Sequence, residues 1–216
     1  MATPRDFNAE AATYDEKPLR VVLARDVAQA IRDAAPLNSE SRAVVDALDF
    51  GCGTGLVALE LQPFVRSLTG VDSAQGMLDV FKSKVEARKL PNVHTLLLDH
   101  ASAALDALSG PFQLIYSSMT LHHVADIASL LGRLHRLAAP GGRLCLADLD
   151  AEGGRFHEHA HGVFHNGFNR AELAAALRDA GFDDIKDRNA ATIAKPNAAG
   201  EMEQFTVFLM TARKNS

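Results

Sequence analysis

The sequence predicts an α/β fold, a doubly wound and mostly parallel sheet with helices on both faces. Three observations carry that expectation. Short apolar runs of strand character alternate with segments whose apolar residues recur at helical spacing. The turns between them are short, as right-handed βαβ units require. The first strand-like run also empties into a glycine cluster that opens the next helix, as in folds that bring backbone close to a ligand.

Taken in order, Leu19, Val22, Leu23, Val27 and Ile31 form a helical stripe that Pro36 ends. Residues 43–50 read as a buried strand. Residues 55–65 return to helix, 67–72 form a second strand, and Met77, Phe81 and Val85 mark another helix. Strands follow at 93–98 and 112–117. Asp126 caps a helix bearing Ile127, Leu130, Leu131 and Leu134, which is expected to stop at Pro140-Gly-Gly142, and 143–149 give a fifth strand. Residues 150–168 are Gly- and His-rich without a period. Asn169-Arg-Ala-Glu172 then has capping-box spacing, with Asn in place of Ser or Thr, before a helix carrying Leu173 and Leu177. Two β-like stretches, 185–193 and 205–211, flank a Pro/Asn/Gly loop and read as an antiparallel pair closing the sheet.

Composition narrows the function. The chain has 216 residues, 47% hydrophobic and 23% charged, as in an ordinary globular domain with a sizeable core. The net charge of −5 argues against a nucleic-acid partner, which calls for a basic surplus. Cys52 and Cys145 make neither a disulfide framework nor a CxxC metal pair, which suits a reducing cytoplasm. The first residues lack a signal-peptide pattern, and no run of about 18 apolar residues spans a membrane. There is no Trp, and the 9 His are an unusual share.

The most informative stretch is Leu48-Asp-Phe-Gly-Cys-Gly-Thr-Gly55. Glycines at alternate positions let the chain turn tightly and approach a ligand, and the following helix offers free N–H groups. About twenty residues on, Gly70-Val-Asp72 ends the next strand with a carboxylate, where nucleoside-binding doubly wound folds hold ribose hydroxyls. Leu56 stands where a dinucleotide GxGxxG fingerprint has its last glycine, and no GxxxxGK[ST] triphosphate loop exists.

With Gly70-Val-Asp-Ser-Ala-Gln-Gly-Met-Leu78, Leu98-Asp-His100, Phe112-Gln-Leu-Ile-Tyr-Ser-Ser-Met-Thr-Leu-His-His123 and Leu137-Ala-Ala-Pro-Gly-Gly-Arg143, the chain resembles the class I S-adenosylmethionine-dependent methyltransferases. It is most similar to the small-molecule branch related to quinone-biosynthesis enzymes. The resemblance implies a Rossmann-like seven-strand sheet with an antiparallel last strand. It implies S-adenosyl-L-methionine as cofactor and S-adenosyl-L-homocysteine as product. Asp49, Gly51, Cys52, Gly53 and Gly55 would hold the methionine end, Asp72 with Ser73 the ribose, and Met77 the adenine. Asp99 and the backbone at His100 would meet the adenine edge, Ser117 would lie near the sulfonium, and Tyr14 would close over the cofactor. Local alternatives exist: Asp72 as a helix cap, Met77 as core, Asp99 as a turn residue, Tyr14 as a surface aromatic, Cys52 as a small filler. Gln113 departs from a common Asp without touching the cofactor assignment.

On this reading residues 1–216 form one methyltransferase domain. A helical cap (1–40) precedes the cofactor-binding core (41–149), a His-rich lid or insert (150–168), and the last helix with its strand pair (169–216). The expected reaction is in-line displacement on a small-molecule acceptor, by a monomer or homodimer. Candidate catalytic residues are His122 and His123, after the fourth strand. Asp148, and Asp150 one pleat period on, follow the fifth strand. His157, His159, His161 and His165 give three open readings: substrate contacts (His157, His161, His165), a metal site with Glu158, or no role. No metal is expected, because the family generally needs none. Competing classes are a nicotinamide-dependent oxidoreductase on the same architecture and a metal- or ligand-binding module.

Overall fold

A computed structural model describes residues 6–35, 37–98, 105, 108–157, 162–196 and 200–215. Its seven-stranded sheet contains β1 (Asp46–Phe50), β2 (Ser67–Asp72), β3 (Val93–Leu97), β4 (Phe112–Ser118), β5 (Ala138–Leu149), β6 (Phe182–Pro196) and β7 (Met202–Lys214). The spatial order is β3-β2-β1-β4-β5-β7-β6. β1 to β5 pair in parallel, and β7 lies antiparallel between β5 and β6. The strand order reverses between β1 and β4, so the crevice outside their carboxyl ends is where such a sheet takes a ligand.

Helices α1 (Phe7–Glu10), α2 (Pro18–Ala34), α3 (Leu56–Leu61), α4 (Gln75–Ala87), α5 (Ile127–Leu137) and α6 (Arg170–Asp179) cover the sheet. Strand alternation divides its side chains between two cores. Ala47, Leu114 and Tyr116 pack with Val27 and Ile31 of α2, Leu61 of α3 and Phe81 of α4. Leu48, Phe50 and Ile115 pack instead with Leu131 and Leu134 of α5 and Leu173 and Leu177 of α6. Strands apolar on both faces are what a covered parallel sheet needs. A third, small cluster joins Ala11 to Ala74 and Met77, with Phe7 and Tyr14 against it, so the N-terminal segment lies on α4.

Caps form at the expected residues. Asp126 accepts from Ser129 N, and Asn169 accepts from Ala171 N and Glu172 N, an Asn doing the work of Ser or Thr. Boundaries differ in several places, the last two strands running longer than expected, as Phe182–Pro196 and Met202–Lys214. β1 starts at Asp46 because residues 41–43 form a 3-10 turn, where Ser41 Oγ donates to Phe64 O at 2.7 Å. The 55–65 segment is α3 followed by a 3-10 turn, Gln62–Phe64, at Pro63, which lacks an N–H. α5 ends at Leu137 and β5 begins at once, with a register shift opposite Phe112–Leu114 that absorbs Pro140-Gly-Gly142. Among the described residues no helix is long and apolar enough to cross a membrane.

Candidate active site

The glycine loop is built by the end of β1. Gly51 N and Cys52 N both donate to Val71 O of β2, at 2.8 and 3.0 Å. Gly51, Gly53 and Gly55 all take left-handed φ, +75°, +52° and +80°. Their surroundings differ. A Cβ on Gly51 would sit 2.2 Å from Thr120 Oγ1 and one on Gly55 2.2 Å from the Phe81 ring, whereas Gly53 has nothing within 4 Å. The outer glycines therefore serve close packing, and Gly53 leaves open space at the crevice.

Asp72 reaches back to this loop: Oδ2 accepts from Gly53 N at 2.7 Å and Oδ1 from Ala74 N at 2.9 Å. The bond to Ala74 N closes a turn ahead of α4, whose N-cap is Ala74 without a side-chain cap, so Asp72 ties the glycine loop to β2 and is not the helix cap. Asp49 is 2% exposed, and its Oδ2 has no hydrogen-bond partner among the described residues. Burial pushes its carboxyl up to about 8; the Tyr116 hydroxyl across the β1–β4 ladder opposes this, and the Asp72 charge adds to it. An unpartnered buried oxygen is costly unless something fills its need. A chamber of about 90 Å³ opens there, and Asp49, Gly51, Cys52, Gly53, Ser118 and Tyr14 are among its walls. Burial and the Asp49 and Asp72 charges raise the Cys52 thiol well above its ordinary value, so it is a filler rather than a nucleophile.

Next to this chamber lies a larger cleft of about 490 Å³, and the two share Tyr14, Arg20, Leu23 and Met119 as a common wall. Met119 sits at the junction with φ +55°, a left-handed conformation unusual for a side chain of its size, fixed by Met119 N donating to Ala147 O at 2.8 Å. After it, a 3-10 turn (Leu121–His123) places both imidazoles on the cleft. His122 Nδ1 lies 2.7 Å from Asp148 Oδ1, and the other Asp148 oxygen accepts from His122 N at 3.3 Å. His123 Nδ1 donates to Gly162 O at 2.6 Å. His157 completes a cluster, 4.9 Å from the His122 ring and 6.0 Å from the His123 ring. Its position follows from Glu152, whose buried Oε2 accepts from Phe156 N at 2.7 Å and from Arg155 N.

Several sequence-chosen residues lie elsewhere. Ser117 is fully buried and donates to Phe50 O at 2.8 Å, tying β4 to β1. By strand alternation its neighbour Ser118 lines the chamber instead. Met77 is packed under the N-terminal segment, and Ser73 is exposed; neither is among the walls of the chamber or the cleft. His165 Nε2 donates to Val124 O at 2.9 Å and its ring meets Phe168, so it anchors the 162–168 segment and is not among the cleft's walls. Asp150 is held by Arg170 through two 2.7 Å bonds, linking β5 to α6. Asp99, His100, Glu158, His159 and His161 fall outside the described residues. No group of three or more His, Cys, Asp or Glu side chains among the described residues could hold a metal ion.

Residues that the sequence reading missed are Lys17, Arg20, Met119, Phe156 and Lys195 of the cleft, and Thr54. Thr54 Oγ1 donates to Asp15 Oδ1 at 2.5 Å, Lys84 pairs with Asp15, and Lys84 Nζ donates to Thr54 O at 2.7 Å. Together they pin the strap of residues 7–16, including Tyr14, over the chamber. Arg20 stacks on the Tyr14 ring at 3.7 Å.

Comparison with known proteins gives the family and the fold. A family described as "Methyltransferase domain" matches residues 7–187. An uncharacterized methyltransferase of Schizosaccharomyces pombe is 35% identical over 132 residues, covering 56% of this chain and 46% of that protein. The crystal structure of YcgJ from Bacillus subtilis superposes with a TM-score of 0.69 at 19% identity, over 88% of this chain and 98% of that one. Phosphoethanolamine N-methyltransferase 2 of Haemonchus contortus, solved with S-adenosyl-L-methionine, gives 0.63 at 18% identity, over 80% and 49%. The chain spans about half the length of the curated relatives it matches.

Proposed function

The chain belongs to the class I S-adenosylmethionine-dependent methyltransferase family, and from that premise we propose that it methylates a small-molecule acceptor, with S-adenosyl-L-homocysteine as product. One observation carries the reading: a small chamber around Asp49 and Gly53 meets a larger one around His122 across the shared wall of Tyr14 and Met119. Two reactants brought together across such a wall is what in-line group transfer needs.

The residues of the small chamber fit the cofactor. The unpartnered Asp49 oxygen suits the ammonium of a methionine-type ligand, the space at Gly53 admits close approach, and Asp72 stands at the end of β2 for the ribose. When bound, S-adenosylmethionine would supply an electrophilic methyl and leave as S-adenosyl-L-homocysteine, and the proton of the acceptor would have to pass to a base of this chain. His122 is that base. With Nδ1–H donating to Asp148, Nε2 is left to accept the proton, and Asp148 steadies the imidazolium that forms. His123, through Gly162, holds the lid segment against the cleft, and the strap keeps water out. Residues 1–216 act as one unit, on a small molecule rather than nucleic acid.

A screen of metabolite pools with methyl-radiolabelled S-adenosylmethionine tests this. Label is expected in a small-molecule fraction and is expected to vanish with His122→Ala. Label appearing only in macromolecules contradicts the acceptor class.

A further inference from the structure

We infer that the methyl acceptor carries an anionic group, a carboxylate or a phosphate ester, bound by Lys17, Arg20 and Lys195; this rests on reading the 490 Å³ cleft as the acceptor site. The chain as a whole is acidic, with a net charge of −5. Its cleft is the reverse. Among the described residues three cationic side chains line it against one carboxylate, Glu10, which is paired with Arg20 Nη2 at 3.0 Å.

Arg20 is paired with Glu10, whereas the two lysines have no carboxylate partner among the described residues. Arg20 stacks on the Tyr14 ring at 3.7 Å and donates Nη1 to Tyr14 O at 3.3 Å, which aligns its planar fork along the cleft wall. Lys195 Nζ donates to Phe156 O and lies 4.7 Å from the centre of the Phe156 ring. A carbonyl and a ring face orient an ammonium but leave its charge uncancelled. Single surface lysines are ordinarily solvated and say nothing. Here two lysines without a carboxylate partner among the described residues line the same concave site as the Arg20–Glu10 pair, between apolar walls such as Leu23 and Ile193 that strengthen their field. The same chain keeps acids in excess elsewhere. That combination fits an organic anion with an apolar body: the acidic end meets the cations and the accepting atom reaches His122.

Four probes on one skeleton test the proposal by calorimetry on enzyme saturated with S-adenosylhomocysteine: 3-(4-hydroxyphenyl)propionate, 2-(4-hydroxyphenyl)ethyl phosphate, 3-(4-hydroxyphenyl)propionamide and tyramine. At least one anion is expected to bind about tenfold or more tighter than the amide, with tyramine weakest. Which anion wins distinguishes carboxylate from phosphate. Lys195→Met and Lys17→Met are each expected to reduce that preference, the double variant to abolish it, with amide affinity unchanged. The proposal is overturned if the amide or amine binds as tightly as the anions, if the double variant keeps the preference, or if no probe binds enzyme that does bind S-adenosylhomocysteine. Failure to bind S-adenosylhomocysteine itself is a different result, and strikes the methyltransferase reading.

Discussion

His122 Nδ1 lies 2.7 Å from Asp148 Oδ1, with the two side chains 2% and 0% exposed. The pair joins the turn after β4 to the end of β5, so the imidazole on the cleft wall has one orientation and one available nitrogen. Replacing His122 with Gln is expected to lower kcat by about 10²–10⁴-fold, the usual worth of a positioned general base, with the KM for S-adenosylmethionine little changed. Asp148→Asn is expected to lower kcat and alter its pH profile, because the pairing selects the tautomer. A profile identical to that of the parent enzyme would reduce Asp148 to a packing role.

Asp49 makes the protein's stability depend on pH. Its carboxyl is raised from 3.8 to about 8, chiefly by burial, so across that window the native state keeps a proton that the unfolded chain has lost. The contribution of Asp49 to stability is therefore fully present below about pH 4 and is lost as pH rises through about 8. Urea unfolding of the ligand-free protein at several pH values is expected to show this decline, and Asp49→Asn to flatten it. If Asp49 takes the cofactor ammonium it must ionise on binding. Calorimetry near pH 7 in buffers of different ionisation enthalpy is then expected to detect about one proton released per site, lost in Asp49→Asn.

The loop glycines separate packing from binding. Gly55→Ala would force a Cβ to 2.2 Å from Phe81 at φ +80°, and is expected to cost about 2–4 kcal/mol from overpacking and left-handed strain. Gly53→Ala meets no atom within 4 Å, so only the strain of about 1–2 kcal/mol remains. Thermal melts should rank the two in that order. Titration with S-adenosylhomocysteine should show Gly53→Ala binding weakly while still folded.

The strap holding Tyr14 is fastened by Asp15, through Thr54 Oγ1 and Lys84, and by Asn8, whose Oδ1 accepts from Gly76 N at 2.8 Å. Asp15→Ala removes interactions worth about 1–2 kcal/mol. Amide exchange in residues 7–16 is expected to speed up by about tenfold, and S-adenosylhomocysteine to dissociate faster, without loss of the global fold.

Much of the sheet and of the glycine loop was legible because its signals are local. Glycine spacing, a carboxylate one βα unit later and strand alternation all sit within a short stretch of chain, and they gave the sheet and the loop. Phase was less legible: Ser117 and Ser118 are one step of a pleat apart, and no pattern within residues 112–118 reveals which of them lines the chamber. The larger cleft was less legible, because its residues meet only through the fold. His122 and Asp148 are 26 positions apart, and Arg20 and Lys195 come from opposite ends of the chain. The crowding of His157 and His165 in sequence also misled. Glu152 turns one toward the cleft, while the Val124 carbonyl draws the other away.

The most direct measurement is calorimetric titration of the purified protein with S-adenosylhomocysteine and, separately, with NAD. Saturable one-to-one binding of S-adenosylhomocysteine, weakened by Asp72→Ala and with no response to NAD, is the expected result. Saturable NAD binding with none of S-adenosylhomocysteine would contradict the account at its centre.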